Sequence, residues 1–158
     1  MKQIPSVDLK DFLSNDPDKR DAFIQNLGKA YEDIGFVALK GHFLSPELVE
    51  SLYEQIRSFF ALPDDVKSKY EISGLAGQRG YTAFGKEHAK GRTTGDLKEF
   101  WHFGQYDKPE DGEVYPENVE VVELPTFNSV GKETYKALEK TGVYVLRALA
   151  IHLGLDEY

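Results

Sequence analysis

The chain has 158 residues and weighs 17.9 kDa, about one domain, and can bury roughly 70% of the surface its unfolded form exposes. It is 41% hydrophobic and 13% aromatic, too apolar for a disordered tail, and 19 Lys and Arg against 27 Asp and Glu leave a net charge of −8 that repels a nucleic-acid backbone. With no cysteine, a disulfide framework, a thiolate zinc finger, an iron–sulfur cluster and a cysteine nucleophile are all excluded.

The first residues carry no apolar signal segment, and no run reaches the ~18 apolar residues of a membrane span, so a soluble, cytoplasmic protein without membrane partners is expected. Ile4 to Leu9 alternates apolar and polar side chains around Pro5, which reads as a short edge strand. Asp16-Pro17 reads as a helix cap followed by proline at the first helical position. Phe23, Leu27, Ala30, Tyr31 and Ile34 then recur at helical spacing as one buried stripe, stopped by Gly35. Phe36-Val37-Ala38-Leu39 is wholly apolar and suits a strand buried on both faces.

After the Gly41-His42 turn, Ser45-Pro46 opens a second helix whose apolar face is Leu48, Val49, Leu52, Tyr53, Ile56, Phe59 and Phe60. Val66 to Tyr70 predicts one or two further helical turns. Six glycines lie within residues 73–95, predicting an irregular loop of uncommon length. Leu97, Glu99, Trp101 and Phe103 alternate with Lys98, Phe100 and His102, as a strand requires. Residues 104–125, with three prolines and many acids, read as a solvated connection. A long helix is predicted over 126–153, with Gly154 at its stop, and Leu155-Asp156-Glu157 reads as the beginning of another element. The fold expected is α+β: three main helices with a few short strands.

Four histidines exist: His42, His88, His102 and His152. Glu99 and His102 have the E-x-x-H interval of di-iron helices, but on a strand an odd interval points the two side chains to opposite faces. None of the histidines is followed by the aspartate of an H-x-D iron pair. Ordinary hydrogen-bonded histidines are the expectation, with no metal site and no catalytic residue in this chain. The glycines of 74–80 lack the lysine and the strand-to-helix setting of a phosphate cradle. Asp64-Asp65 and Asp156-Glu157 sit where helix starts favour carboxylates, which accounts for them without catalysis. Arg79 and Tyr81, on a glycine-flanked loop, are the candidate substrate-binding pair: a guanidinium can hold a carboxylate and a phenol can orient a ligand. The competing reading is a loop salt bridge and an aromatic plugging the core.

Ile4-Pro5-x-Val7-Asp8, Ala30-Tyr31-Glu32-Asp33-Ile34-Gly35-Phe36, Gly41-His42, Phe59 to Pro63, Arg79-Gly80-Tyr81, Gly85-Lys86-Glu87 and Asp96 to Glu99, in this order, resemble the N-terminal region of the isopenicillin N synthase-like oxygenases. That family comprises non-haem iron(II) enzymes, mostly dependent on 2-oxoglutarate. The resemblance covers residues 4–155 and implies that 1–158 is the helix-rich front half of a jelly-roll oxygenase, whose barrel half is largely absent here. The iron-binding H-x-D and distant histidine, and the R-x-S arginine for 2-oxoglutarate, belong to that other half. No cofactor is therefore expected in this chain itself, while the parent family uses iron(II) and 2-oxoglutarate. The resemblance implies oxidation of a small organic substrate with the missing half present, and carries substrate contact onto Arg79 and Tyr81 alone. Trp101 and His102 either line the same cavity or fill core. A non-enzymatic interaction or regulatory module on the same scaffold is the alternative, with an autonomous small enzyme as a third reading. Without the barrel, the strands at 36–39 and 97–103 would leave apolar faces and open edges, predicting self-association or packing on a partner.

Overall fold

The computed structural model describes residues 3–87, 95–107 and 115–157, arranged as two compact units. One contains the chain up to Ser45 and from Ala137 on; the other is Pro46–Lys136. The mixture of helices and short strands agrees with the α+β expectation. Among the described residues no helix is long and apolar enough to cross a membrane.

In the first unit, β1 (Ser6–Asp8) pairs in parallel with β2 (Ala38–Lys40), Val7 opposite Leu39. The Asp8 carboxylate then accepts the Lys10 backbone N–H at 2.9 Å and so caps a helix that the sequence reading missed, α1 (Leu9–Phe12). Asp16 does the same for α2 (Pro17–Asp33), accepting from Asp18 and Lys19, with Pro17 at the helix start as expected. The buried stripe of α2 is Phe23, Ile24, Leu27, Gly28 and Ala30, while Tyr31 is exposed. Of these, Phe23, Ile24 and Leu27 close on Val7, Leu9, Phe12 and Ala148 to form the core. The strand expected at 36–39 is corrected in position and burial. It begins at Ala38, has one ladder partner, packs only Val37 and Leu39 on the core, and leaves Phe36 exposed. Among the described residues β2 is an edge strand of a two-stranded sheet, and only its Val37 and Leu39 side packs on the core, so the two-faced burial of an inner strand is not seen.

The long helix, α5 (Pro125–His152), contributes to both units. Gly154, at φ +71°, ends it as anticipated: its N–H bonds the Ile151 carbonyl and the Leu155 N–H reaches back to Ala150. Leu155–Glu157 carries no helix or strand, and Glu157 is held by Arg147 and Arg20.

In the second unit, α3 (Pro46–Phe60) starts on its proline and buries Phe59 fully, whereas Tyr53 is exposed. The turns expected after Pro63 are α4 (Asp64–Lys67) and a 3₁₀ turn, Ser68–Tyr70, with Asp64 and Asp65 in the first turn of α4. The glycine-rich stretch is not wholly irregular. It contains β3 (Gly80–Thr82), which pairs antiparallel with β4 (Phe100–His102), Tyr81 opposite Trp101. Residues 88–94, with His88, lie outside the described residues. β4 is also shorter than the alternation suggested, and Leu97 is almost fully exposed. Around Phe59 gather Tyr70, Tyr81, Trp101, Phe127 and Val121, with Phe59–Trp101 ring centroids 4.8 Å apart and Phe59–Phe127 5.1 Å apart. Val121 is fully buried, which corrects the reading of 104–125 as solvated throughout. Asn128 secures it, accepting from the Val121 N–H at 2.8 Å and donating to its carbonyl at 3.0 Å.

Candidate functional site

The β3–β4 pair presents two faces, and each carries one of the two sequence-predicted site residues or its neighbour. Tyr81 points inward beside Trp101 and is 3% exposed. Its hydroxyl donates to Glu99 Oε2 at 2.5 Å, and the Lys67 ammonium donates to the same oxygen at 2.8 Å. Lys67, at the end of α4, is itself buried, and its second carboxylate partner is the exposed Asp64 at 3.1 Å. The hydrogen bond it donates to Glu99 raises the Lys67 pKa well above the ordinary lysine value, against the opposing effect of burial. Burial first, then the Glu99 hydrogen bond, pushes the Tyr81 phenol up to about 12. The phenol therefore stays protonated at neutral pH, a donor committed to Glu99.

Arg79 occupies the turn entering β3. Its Nε donates to the Pro116 carbonyl at 3.1 Å and its Nη1 to the Gln78 carbonyl at 2.7 Å. The guanidinium lies against the backbone of Gly104: a Cβ placed there would stand 1.8 Å from its central carbon. Only glycine admits that approach. The loop salt bridge foreseen as the bland alternative does not occur among the described residues, since both partners of Arg79 are neutral carbonyls. Arg79 lines a cleft of about 430 Å³ together with His102, Gln105, Tyr115 and Tyr135. A larger cleft, about 760 Å³, opens beside it between residues 105–107, 115–120 and the first turns of α5. Tyr106, on its wall, has its phenol pKa raised by burial and by the nearby Glu120. Asn118 holds the two walls together, accepting from the Gly104 N–H at 2.6 Å and donating to the carbonyls of Gly104 and Gln105.

The histidines take separate partners. His42 accepts from the Leu44 N–H, His102 Nδ1 faces the Gly77 carbonyl, and His152 Nε2 meets Glu32 at 2.9 Å. Among the described residues no three of His, Asp and Glu form a group that could hold a metal ion. Glu99 and His102 diverge, as their odd interval requires: one acid turns inward to Lys67 and Tyr81, the ring turns out to Gly77.

Sequence reasoning singled out Arg79, Tyr81, Trp101 and His102 but missed Lys67, the role of Glu99 as the acceptor shared by Lys67 and Tyr81, and Asn118. One signal was available. The alternation that placed Glu99 on the face of Trp101 put a carboxylate on the inward side of a strand, and a buried carboxylate needs a cation or a hydrogen-bond donor.

Residues 4–123 match the family described as the N-terminal region of the non-haem dioxygenase in morphine synthesis. The 2-oxoglutarate-dependent dioxygenase htyE of Aspergillus rugulosus is 28% identical over 98% of this chain and 50% of its own length. The proline hydroxylase buaE of Petromyces alliaceus is likewise 28% identical, over 98% of this chain and 49% of its own. Among solved structures, a 2OG-Fe(II) oxygenase family protein from Caulobacter crescentus is 34% identical, with a TM-score of 0.80 over 99% of this chain and 50% of that one. A full-length Neurospora crassa protein, solved in complex with alpha-KG, is 26% identical, TM-score 0.78, over 98% and 48%. The chain spans about half the length of the curated relatives it matches.

Proposed function

The chain belongs to the non-haem dioxygenase N-terminal family, and on that premise we propose that it is the substrate-cap half of an iron(II)/2-oxoglutarate-dependent oxidoreductase acting on a small organic substrate. The observation that carries this reading is a pairing of coverage with chemistry. Nearly all of the chain aligns with half of a 2OG-Fe(II) oxygenase, yet among the described residues there is no metal-holding group. Among the described residues no group gathers the imidazoles and carboxylate that iron needs, so no oxidative step is assigned to these side chains; in this reading the metal and 2-oxoglutarate would be held by a jelly-roll half outside these residues.

In this reading the chain's own work is binding. Arg79 contributes charge to the substrate cleft. Tyr81 contributes position, because its phenol is tied to Glu99 and its strand fixes the entry angle of Arg79 two residues earlier. The fixed strand pair and the Asn118 bridge keep the cleft wall preorganised, which lowers the entropy lost on binding.

Calorimetric titration of the chain with manganese(II) and 2-oxoglutarate tests the assignment: no heat of binding is expected. Saturable binding of both by the chain alone would overturn it. A reading frame that continues into, or is neighboured by, an H-x-D…H…R-x-S segment would support this assignment, and one with neither would favour a non-enzymatic module.

A further inference from the structure

We propose that the cleft around Arg79 recognises the carboxylate of its substrate, so that the substrate class is a small organic acid; this rests on the substrate-cap reading above. The chain carries 27 acidic residues and a net charge of −8, yet none of the described residues lining this cleft is an acid. Arg79 is nine-tenths buried and is the one permanently charged side chain among the described residues of the cleft wall. Its two hydrogen-bond partners are backbone carbonyls, which satisfy Nε and Nη1 but leave the charge unanswered. No ion pair reaches it among the described residues.

A guanidinium withdrawn from water without a counter-charge is costly, and the cost is recovered when a planar oxyanion meets the remaining edge of the fork. Gly104 and the two carbonyls hold that fork in place. Gln105, Tyr115 and Tyr135 supply polar and aromatic wall for the body of such an acid.

The test uses the whole chain, 15N-labelled, with 4-phenylbutyrate as probe and 4-phenylbutyramide as its uncharged counterpart. The acid is expected to shift the Arg79 Nε–H and the Gly104 amide, to weaken with added salt, and to bind at least about tenfold tighter than the amide. Inorganic phosphate is the third probe and is expected to bind more weakly than the acid. Acid and amide binding equally at Arg79 would overturn the carboxylate class while leaving the substrate cleft standing. Phosphate binding as tightly as the acid would also overturn that class, and no shift at Arg79 with any probe would overturn the cleft itself. Arg79→Lys, which keeps the charge but loses the fork, is expected to lose at least half of the acid-over-amide preference in logarithmic terms. Its fold is checked by the emission of the single tryptophan, Trp101.

Discussion

Lys67 and Glu99 meet at 2.8 Å although thirty-two positions separate them, and both side chains are largely withdrawn from solvent, 5% and 16% exposed. The pair fastens the end of α4 to the strand that faces Tyr81. Breaking one side of a buried pair leaves an uncompensated charge, so Lys67→Met is expected to destabilise the protein by about 3–5 kcal/mol. The double variant Lys67→Met with Glu99→Leu should recover much of that loss, because removing both charges removes the desolvation problem. Urea denaturation of the two single variants and the double variant checks this, with non-additivity as the signature.

The same cluster predicts an alkaline limb. Both Lys67 and Tyr81 have folded-state pKa values above their ordinary ones, so the folded protein holds these protons more tightly than the unfolded chain. Their contribution is complete below about pH 10 and is lost as pH climbs through the folded values, about 12 for Tyr81. Thermal melts between about pH 9 and pH 12 should show the midpoint falling steadily from about pH 10 upward. Tyr81→Phe should flatten part of that fall.

Gly104→Ala addresses the turn where the guanidinium rests. Its Cβ would arrive 1.8–2.3 Å from three atoms of the Arg79 fork, which is held at two carbonyls. The side chain must swing away, giving up both hydrogen bonds, at a cost of about 1–3 kcal/mol. Arg79→Ala in the same chain removes the obstacle and should restore part of that stability. A midpoint for Gly104→Ala equal to wild type would show that the fork is not seated on this backbone.

How far these features were legible in the sequence follows from the range over which each is encoded. The cap at Asp16-Pro17, the proline start of α3 at Pro46, the α5 span and the Gly154 stop are local signals, and each is where the pattern placed it. β3 went unseen because three residues, one of them glycine, carry too little alternation to register. Tyr81 and Arg79 were chosen for residue type, but their environments depend on Glu99, Lys67, Pro116 and Gly104. Those partners converge only after the chain has folded. Glu157 is the same lesson at the other end of α5: the two arginines that clamp it, Arg147 and Arg20, come from distant positions that no local pattern marks.

That clamp has its own consequence. Arg147 donates twice to Glu157 Oε1, at 3.0 and 2.6 Å, and Arg20 donates to Oε2 at 3.0 Å. The Arg147 hydrogen bonds, with help from Arg20, hold the Glu157 carboxyl below the usual carboxylate range. Its contribution is therefore present above the ordinary pKa of ~4.3 and is lost as pH falls through the lower folded value. Glu157→Gln should cost about 1 kcal/mol at pH 7 and make acid unfolding below about pH 4 less steep, a difference that about 0.5 M salt should shrink. Identical acid limbs for both proteins would remove the clamp from the stability account.

The second half of α5 carries apolar side chains that nothing in its own unit covers. Leu146 and Leu153, each 67% exposed and seven residues apart, share one helix face, with Leu138 (54% exposed) and Val143 at its two edges. Ala148, roughly opposite Leu146 on the helix, is buried in the core. A helix apolar on both sides is built for burial, and a row of leucines left in water favours association. The weight-average mass in sedimentation equilibrium should therefore rise above 17.9 kDa with concentration, and Leu146→Glu should return it to the monomer value without lowering the melting midpoint, since that side chain supports no core contact. A wild-type chain that stays a compact monomer at every concentration would show that this face needs no cover.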